Sequence, residues 1–369
     1  MQQALAQARL ALPVSSPNPP VGCVIVRDGL LLGAGHTQQA GGPHAEVMAL
    51  RDAQARGHSL RGATAYVTLE PCSHHGRTPP CADALIREGL ARVVVALSDP
   101  NPLVAGQGVD RLRAAGVVVD MREGGHPEAL AAREIKIGFL SRMVRQRPWV
   151  RLKVAGSLDG RTALDNGVSQ WITGEAARED TQRWRARASA ILTGIGTVLD
   201  DDPRMDVRSV PTPRQPIKVV LDSHWRTPPQ ARLLASAGPV WVMGLASADP
   251  DLAARQSALQ AAGAELLAAP ATAAGQVDLA WLLPELARRG VNELHVEAGA
   301  RLNGHLIEQG WVDEILVYLA PKLLGPGRGL AALSPLTALD GCWQGDIRDL
   351  TQVGHDVRLL VRPAGRERF

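Results

Sequence analysis

The residues of this 369-residue chain best placed for chemistry are a histidine, a glutamate and two cysteines within its first 81 positions. His44-Ala45-Glu46 opens an expected helix, Cys72 follows Pro71 after an expected strand, and Cys81 starts the next helix. One imidazole and two thiolates form a three-ligand zinc set, and three protein ligands leave the fourth tetrahedral position for water, as a hydrolytic site requires. The positive ends of helix dipoles favour thiolate at such junctions. Zinc lowers the pKa of a coordinated water from about 16 toward about 7. Glu46 lies two residues beyond His44, projects differently and does not share the metal. It is placed to carry a proton from that water to a leaving amine. The same residues also suit a purely structural zinc site, which takes four protein ligands. His74, His75 or Cys23 would then supply the fourth.

The order H-x-E, then P-C-x-x-C, is the pattern of zinc nucleobase deaminases, in which the glutamate is the acid/base and not a ligand. This chain departs from it, because SHHGRTPP separates Cys72 from Cys81. The elements around these residues alternate. VGCVIV and LLLGAGH flank the Asp28-Gly29 turn as a hairpin. Strands follow at 63–70 and 92–97, and helices at 44–56, 80–88 and 109–115. A helical stretch over 127–145 leads to Arg147-Pro148, where a β-rich segment begins with WVRLKVAGSLDG. The expected domains are 1–145 and 146–369. Both read as α/β, the first with a mostly parallel sheet after its opening hairpin. The Ala-rich stretch 253–274 reads as helix plus loop.

The second half lacks a GxGxxG after a strand, so it is not a Rossmann domain. VEAGARLNGHL instead offers a strand, Gly299 and a helix from about Ala300, whose free N–H groups suit a pyrophosphate. GIGTVL puts Gly194 and Gly196 at another strand end, where a backbone can approach a ligand closely.

PNPPVGCVIV, GGPHAEVMAL and TLEPCSHHGRTPPC together resemble the bifunctional riboflavin-biosynthesis deaminase–reductase family, in which the long Cys–Cys insertion is typical. LKVAGSLDGRTA, SQWITG, DDPRMDVR, VLDS, VEAGARLNG and LAPKLLG extend the resemblance over nearly the whole chain. The resemblance implies a cytidine deaminase-like α/β/α sandwich followed by a dihydrofolate reductase-like α/β domain. It implies one Zn2+ per chain and NADPH as cofactors. The first domain would remove the 2-amino group of 2,5-diamino-6-(5-phosphoribosylamino)pyrimidin-4(3H)-one. The second would reduce the ribosyl group to ribityl, giving 5-amino-6-(5-phosphoribitylamino)uracil.

Carried onto this sequence, the resemblance makes His44, Cys72 and Cys81 the zinc ligands and Glu46 the catalytic proton carrier. Asn18, His36, His74, Asp99 and Asn101 become contacts to the pyrimidine and its ribose phosphate. Ala155, Trp171, Thr197, Asp201, Ser223 and the run Gly299, Ala300, Arg301, Leu302, Asn303, Gly304 and His305 become cofactor contacts. Ser169, Arg185, Met205, Arg208 and Glu297 become contacts to the reductase substrate. A guanidinium matches phosphate geometry, which suits Arg185 and Arg208 to that role. Lys136 stands where the family often has Asn, and Met205-Asp206 replaces a common Leu-Thr. Reductases of this fold commonly pair, so a homodimer through the second domain is expected.

Composition limits the alternatives. Lys plus Arg is 40 and Asp plus Glu 37, a net charge of +3, and aromatics are 3%. A tRNA deaminase with an accessory domain would want a basic, aromatic-interleaved surface, which this balance does not supply. A metal-stabilised binding module with a degenerate second domain is the reading from another class. No apolar run reaches the roughly 18 residues of a membrane span, the N-terminus does not read as a signal peptide, and four cysteines make no disulfide scaffold. A cytoplasmic enzyme acting on a small phosphorylated molecule, with neither nucleic acid nor membrane as partner, is the resulting expectation.

Overall fold

A computed structural model describes the chain except for residues 74–78, 102–104, 123 and 247–248. It divides into two compact units, Met1–Arg147 with Phe369, and Pro148–Arg368. The first contains α1 (Gln2–Leu10), β1 (Gly22–Arg27), β2 (Leu30–His36), α2 (Ala45–Ala55), β3 (Thr64–Val67), α3 (Cys81–Arg87), β4 (Arg92–Val95), α4 (Gln107–Ala114), β5 (Val118–Met121), α5 (Pro127–Ile135) and α6 (Ile137–Arg145). Its strands lie in the order β2-β1-β3-β4-β5. β1 pairs antiparallel with β2 and β3, and the β3–β4 and β4–β5 pairs are parallel.

Asp28 and Gly29 both adopt positive φ, 51° and 78°, as a tight primed hairpin turn demands. β1 is continuously apolar because helices cover both of its faces. α2 lies against β2 so closely that a Cβ at Gly33 or Gly35 would come within 2.3 Å of the Ala49 carbonyl oxygen or 2.5 Å of its nitrogen. That approach holds the N-terminal end of α2, with His44 and Glu46, against the sheet.

The expected helix over 127–145 is two helices. The break falls at Lys136, whose side chain is 1% exposed and donates from Nζ to Thr68 Oγ1 at 2.9 Å. Burial pulls its pKa down to about 7.

The second unit contains β6 (Trp149–Ser157), β7 (Arg161–Leu164), α7 (Glu175–Arg187), β8 (Ala190–Gly194), α8 (Ile195–Asp201), β9 (Ile217–Leu221), α9 (Arg232–Ala235), β10 (Val240–Leu245), α10 (Pro250–Ala261), β11 (Glu265–Ala269), α11 (Leu279–Arg288), β12 (Glu293–Val296), α12 (Ala300–Glu308), β13 (Glu314–Ala320), β14 (Gly327–Gly329), β15 (Asp346–Val353) and β16 (Asp356–Arg362). Its main sheet runs β11-β10-β9-β8-β12-β6-β13-β16-β15. Pairing is parallel from β11 to β13 and antiparallel for β16 and β15. Both units thus have the α/β architecture expected of them.

Two elements correct the sequence reading. β11 lies inside the Ala-rich stretch, where parallel pairing with β10 overrides weak local β propensity. The β15–β16 hairpin ends the sheet where no element was expected, because charged residues interrupt its apolar pattern. A buried charge ladder also crosses four neighbouring strands. Arg151 on β6 bonds Glu293 on β12 at 2.6 Å and Glu314 on β13 at 2.5 Å, and Arg362 on β16 bonds Glu314 at 2.8 Å. Leaving one of these charges unpaired would be costly, so the ladder ties the strand register together.

Candidate functional site

The first unit brings the expected ligands together. His44 is the N-cap of α2 in extended geometry, and Cys81 is the first residue of α3, behind Pro80. Cys72 lies in the segment after β3. His44 Nδ1 is 3.6 Å from Cys72 Sγ and 3.4 Å from Cys81 Sγ, and the three atoms lie within 4.8 Å of one another. Metal–sulfur bonds of about 2.3 Å and metal–nitrogen bonds of about 2.0 Å give a tetrahedron whose N–S edges are about 3.5 Å. The donor set therefore fits a zinc ion in both chemistry and spacing.

The thiols divide their acidity. A hydrogen bond from Cys81 and the nearby His44 pull the Cys72 thiol down. The bond to Cys72, together with burial, pushes Cys81 up. The pair loses its first proton easily and holds the second.

Glu46 is buried beside this set. Burial, reinforced by the charge on Cys72, pushes its carboxyl up to about 7, where a group both takes and gives protons near neutrality. His44, Glu46 and Cys72 line a cavity of about 450 Å³ that also meets Asn18, Asp99 and Asn101. Asp99 Oδ1 accepts from the Asn101 amide at 2.9 Å, and burial pushes this carboxyl up to about 6. The cavity thus sets amide and carboxylate partners, which suit a pyrimidine edge, around the ligand set.

Other expected residues lie elsewhere. His36 is off the cavity wall, with Nδ1 3.2 Å from Gln7 Oε1. His74, with His75 and Arg77, lies outside the described residues. Among the cavity residues that sequence reasoning missed are Glu70, Phe139 and Arg142. Glu70 lies three residues beyond β3, just before Pro71-Cys72, and that adjacency was its only signal. Arg142 and Phe139 come from α6, and Arg142 Nη2 donates to the Pro17 carbonyl at 2.9 Å beside Asn18. Cys23 is fully buried and free, as a core residue should be.

In the second unit, β8 and β12 are parallel neighbours, and each leads into a helix at its C-terminal end. That end of an open α/β sheet is where ligands bind. Gly299 caps α12 in extended geometry, with Thr197 Oγ1 of α8 4.0 Å from where its Cβ would sit. The free N–H groups of α12 and this small-residue gap fit an anionic cofactor group. Arg301 is exposed there, and Leu302 and His305 are half-buried.

Asn303 and Gly304 serve packing instead. Asn303 Nδ2 donates to the Leu330 carbonyl at 2.9 Å, and a Cβ on Gly304 would lie 2.0 Å from the Ala332 oxygen. Ser223 Oγ accepts from the Val277 amide at 3.3 Å. Asp201 ends α8, and Ala155 is half-buried on β6. Trp171 is exposed, with Arg178 over its ring at 4.7 Å.

Arg185, Met205, Arg208 and Glu297 converge around Asp206. Arg185 grips both Glu297 oxygens, at 2.6 and 2.7 Å, and donates to the Asp206 carbonyl at 3.1 Å. Its fork is therefore directed at a carboxylate. Arg208 bonds Asp206 at 3.0 Å and remains 48% exposed, so it is better placed than Arg185 to meet a phosphate. Met205 is buried at positive φ, 54°. Ser169 is half-buried in the segment before α7.

Comparison with known proteins gives a consistent result. The family model described as the cytidine and deoxycytidylate deaminase zinc-binding region matches residues 1–97, and the RibD C-terminal domain model matches 148–357. The riboflavin biosynthesis protein RibD of Escherichia coli is 44% identical over 373 residues, covering 97% of each chain. That of Haemophilus influenzae is 43% identical over 384 residues, covering 99% of this chain and 97% of its own. A solved structure of Acinetobacter baumannii RibD superposes with a TM-score of 0.87 at 42% identity, covering 98% and 97% of the two chains. A Thermotoga maritima structure described as a diaminohydroxyphosphoribosylaminopyrimidine deaminase/5-amino-6-(5-phosphoribosylamino)uracil reductase gives 0.84 at 30%, covering 99% and 97%.

Proposed function

The chain belongs to the RibD family of bifunctional riboflavin-biosynthesis enzymes, a deaminase joined to a reductase, and on that premise we propose the substrates and the residues that act on them. The first domain, residues 1–145, deaminates 2,5-diamino-6-(5-phosphoribosylamino)pyrimidin-4(3H)-one. His44, Cys72 and Cys81 hold one zinc ion. Bound zinc supplies Lewis acidity that makes water nucleophilic at neutral pH. Glu46 takes a proton from the attacking water on a carboxylate oxygen and returns it to the departing 2-amino nitrogen, so ammonia leaves neutral. Asn18, Asp99 and Asn101 orient the ring. His74 would be a contact to the phosphoribosyl group.

The second domain, residues 146–369, reduces the ribosyl group with NADPH, which supplies the two electrons. Ala155, Trp171, Thr197, Asp201, Ser223 and the N-terminal end of α12 hold the dinucleotide. Ser169, Met205, Arg208 and the Arg185–Glu297 pair hold the sugar phosphate. Their work is alignment, because transfer needs the nicotinamide and the sugar carbon in contact and in line. Two such chains pair through this domain in the cytoplasm. No helix among the described residues is long and apolar enough to cross a membrane.

The observation that carries the proposal is the clustering of His44, Cys72 and Cys81 beside buried Glu46, at a cavity lined by His44, Glu46 and Cys72. The test measures ammonia release and NADPH oxidation together on the diaminopyrimidine. Both should proceed, and a chelator should stop ammonia release while NADPH oxidation continues on the deaminated substrate. Ammonia release by metal-free protein would refute the zinc assignment.

A further inference from the structure

The part of the cavity wall that Asp99 and Asn101 supply is irregular backbone. Asp99 and Asn101 precede α4 and belong to no strand or helix. Such a segment has no ladder of its own to hold it. Among the described residues, one buried side chain bonds to both ends of it. Glu70 Oε2 accepts from the Asp99 amide at 3.3 Å and the Gly106 amide at 3.0 Å. Glu70 Oε1 accepts from the Gly108 amide at 3.0 Å and the Val109 amide at 3.2 Å. Gly106, Gly108 and Val109 form the start of α4, where amides have no partner within the helix. Glu70 therefore caps α4 from another element, with its charge at the positive end of the dipole.

A second contact reinforces the joint. A Cβ at Gly108 would lie 1.8 Å from the Pro71 carbonyl oxygen, so the start of α4 rests directly on the peptide that leads to Cys72. The Glu70 amide also donates to the Leu97 carbonyl at 2.9 Å. Glu70 thus bonds both ends of the Asp99–Val109 segment, and it stands two residues from a zinc ligand.

We propose that Glu70 is a positioning residue for deamination, fixing Asp99 and Asn101 relative to the metal ligands so that the substrate ring enters in register with them. The proposal rests on the reading that Asp99 and Asn101 contact the substrate. A carboxylate is required because it is acceptor-only on both oxygens, and all four partners are donors. Glutamine would turn an NH₂ toward two of them.

Glu70→Gln in the full zinc-loaded chain is the test. KM for the diaminopyrimidine should rise about tenfold. The turnover number should stay within about threefold, with zinc content and reduction of the deaminated substrate unchanged. A KM within twofold of wild type would overturn the proposal. Loss of zinc would also overturn it, because Glu70 would then act on the metal ligands and not on the wall. Hydrogen exchange on the wild-type chain tests the clamp even if the variant fails to fold. The Gly106, Gly108 and Val109 amides should be protected like those inside α4, and exchange at the open-chain rate would refute it. Asp99→Asn and Asn101→Ala separate the two ideas. If both leave KM unchanged while the amides stay protected, the substrate reading fails and the clamp stands.

Discussion

Replacing Lys136 with Met should stabilise the first unit near neutral pH and lose most of that advantage in alkali. Lys136 is buried, and desolvation pulls its amine from 10.5 down to about 7. Between those values the unfolded chain binds a proton that the folded chain does not, so wild-type stability rises with pH through this window. At pH 7.5 the mismatch costs the fold about 4 kcal/mol, and at pH 9.5 about 1 kcal/mol. Met fills the space of the stem and removes the amine, at the loss of about 1 kcal/mol for the hydrogen bond to Thr68. The variant should therefore exceed wild type by about 3 kcal/mol at pH 7.5 and match it at pH 9.5. Lys136 also helps to hold down the Asp99 carboxyl, which burial pushes up to about 6, so removing the amine trims the advantage.

Urea unfolding followed by hydrogen exchange of first-unit peptides reads this difference. All eight tryptophans lie in residues 149–343, so their fluorescence reports the second unit and should not shift. An advantage equal at both pH values, or a variant less stable at pH 7.5, would refute the reasoning.

Glu46→Gln should lower deaminase turnover by about 10²–10⁴-fold while zinc content and reductase activity persist. Full deamination would remove Glu46 from the proton path. Arg208→Ala should raise the reductase KM for the phosphorylated sugar at least tenfold with little change in KM for NADPH, since Arg208 is an exposed cation at the expected sugar-phosphate cluster. Steady-state kinetics with each substrate varied checks this, and an unchanged sugar KM places the phosphate elsewhere. Gly244→Ala should destabilise the second unit by roughly 1–3 kcal/mol, read by tryptophan fluorescence in urea, because the new Cβ would lie 2.3 Å from the Trp225 ring. No loss of stability would mean that ring moves freely.

Local chemistry made part of this protein legible in its sequence. Asp28-Gly29 encodes its own turn, because the required φ values suit those residues. The helix expected over 44–56 forms from Ala45 to Ala55, with His44 as its N-cap. The candidate zinc set was legible for the same reason, since His44, Cys72 and Cys81 are few, distinctive and placed at element junctions, and the fold clusters them. Elements made by pairing were less so. β11 lacks β-branched residues and exists because β10 offers it a partner, and β15–β16 exists because β13 offers an edge.

The sequence by itself determined the two α/β segments and singled out the candidate metal ligands and the candidate proton carrier, all of which depend on residue type and near neighbours. Only the tertiary structure decided that His36 faces Gln7 and not the cavity, that Arg185 spends its fork on Glu297, and that one carboxylate at Glu70 collects four amides from up to 39 residues away. Those outcomes turn on which donors and acceptors meet once water is excluded. That competition among distant partners has no signature in residue spacing.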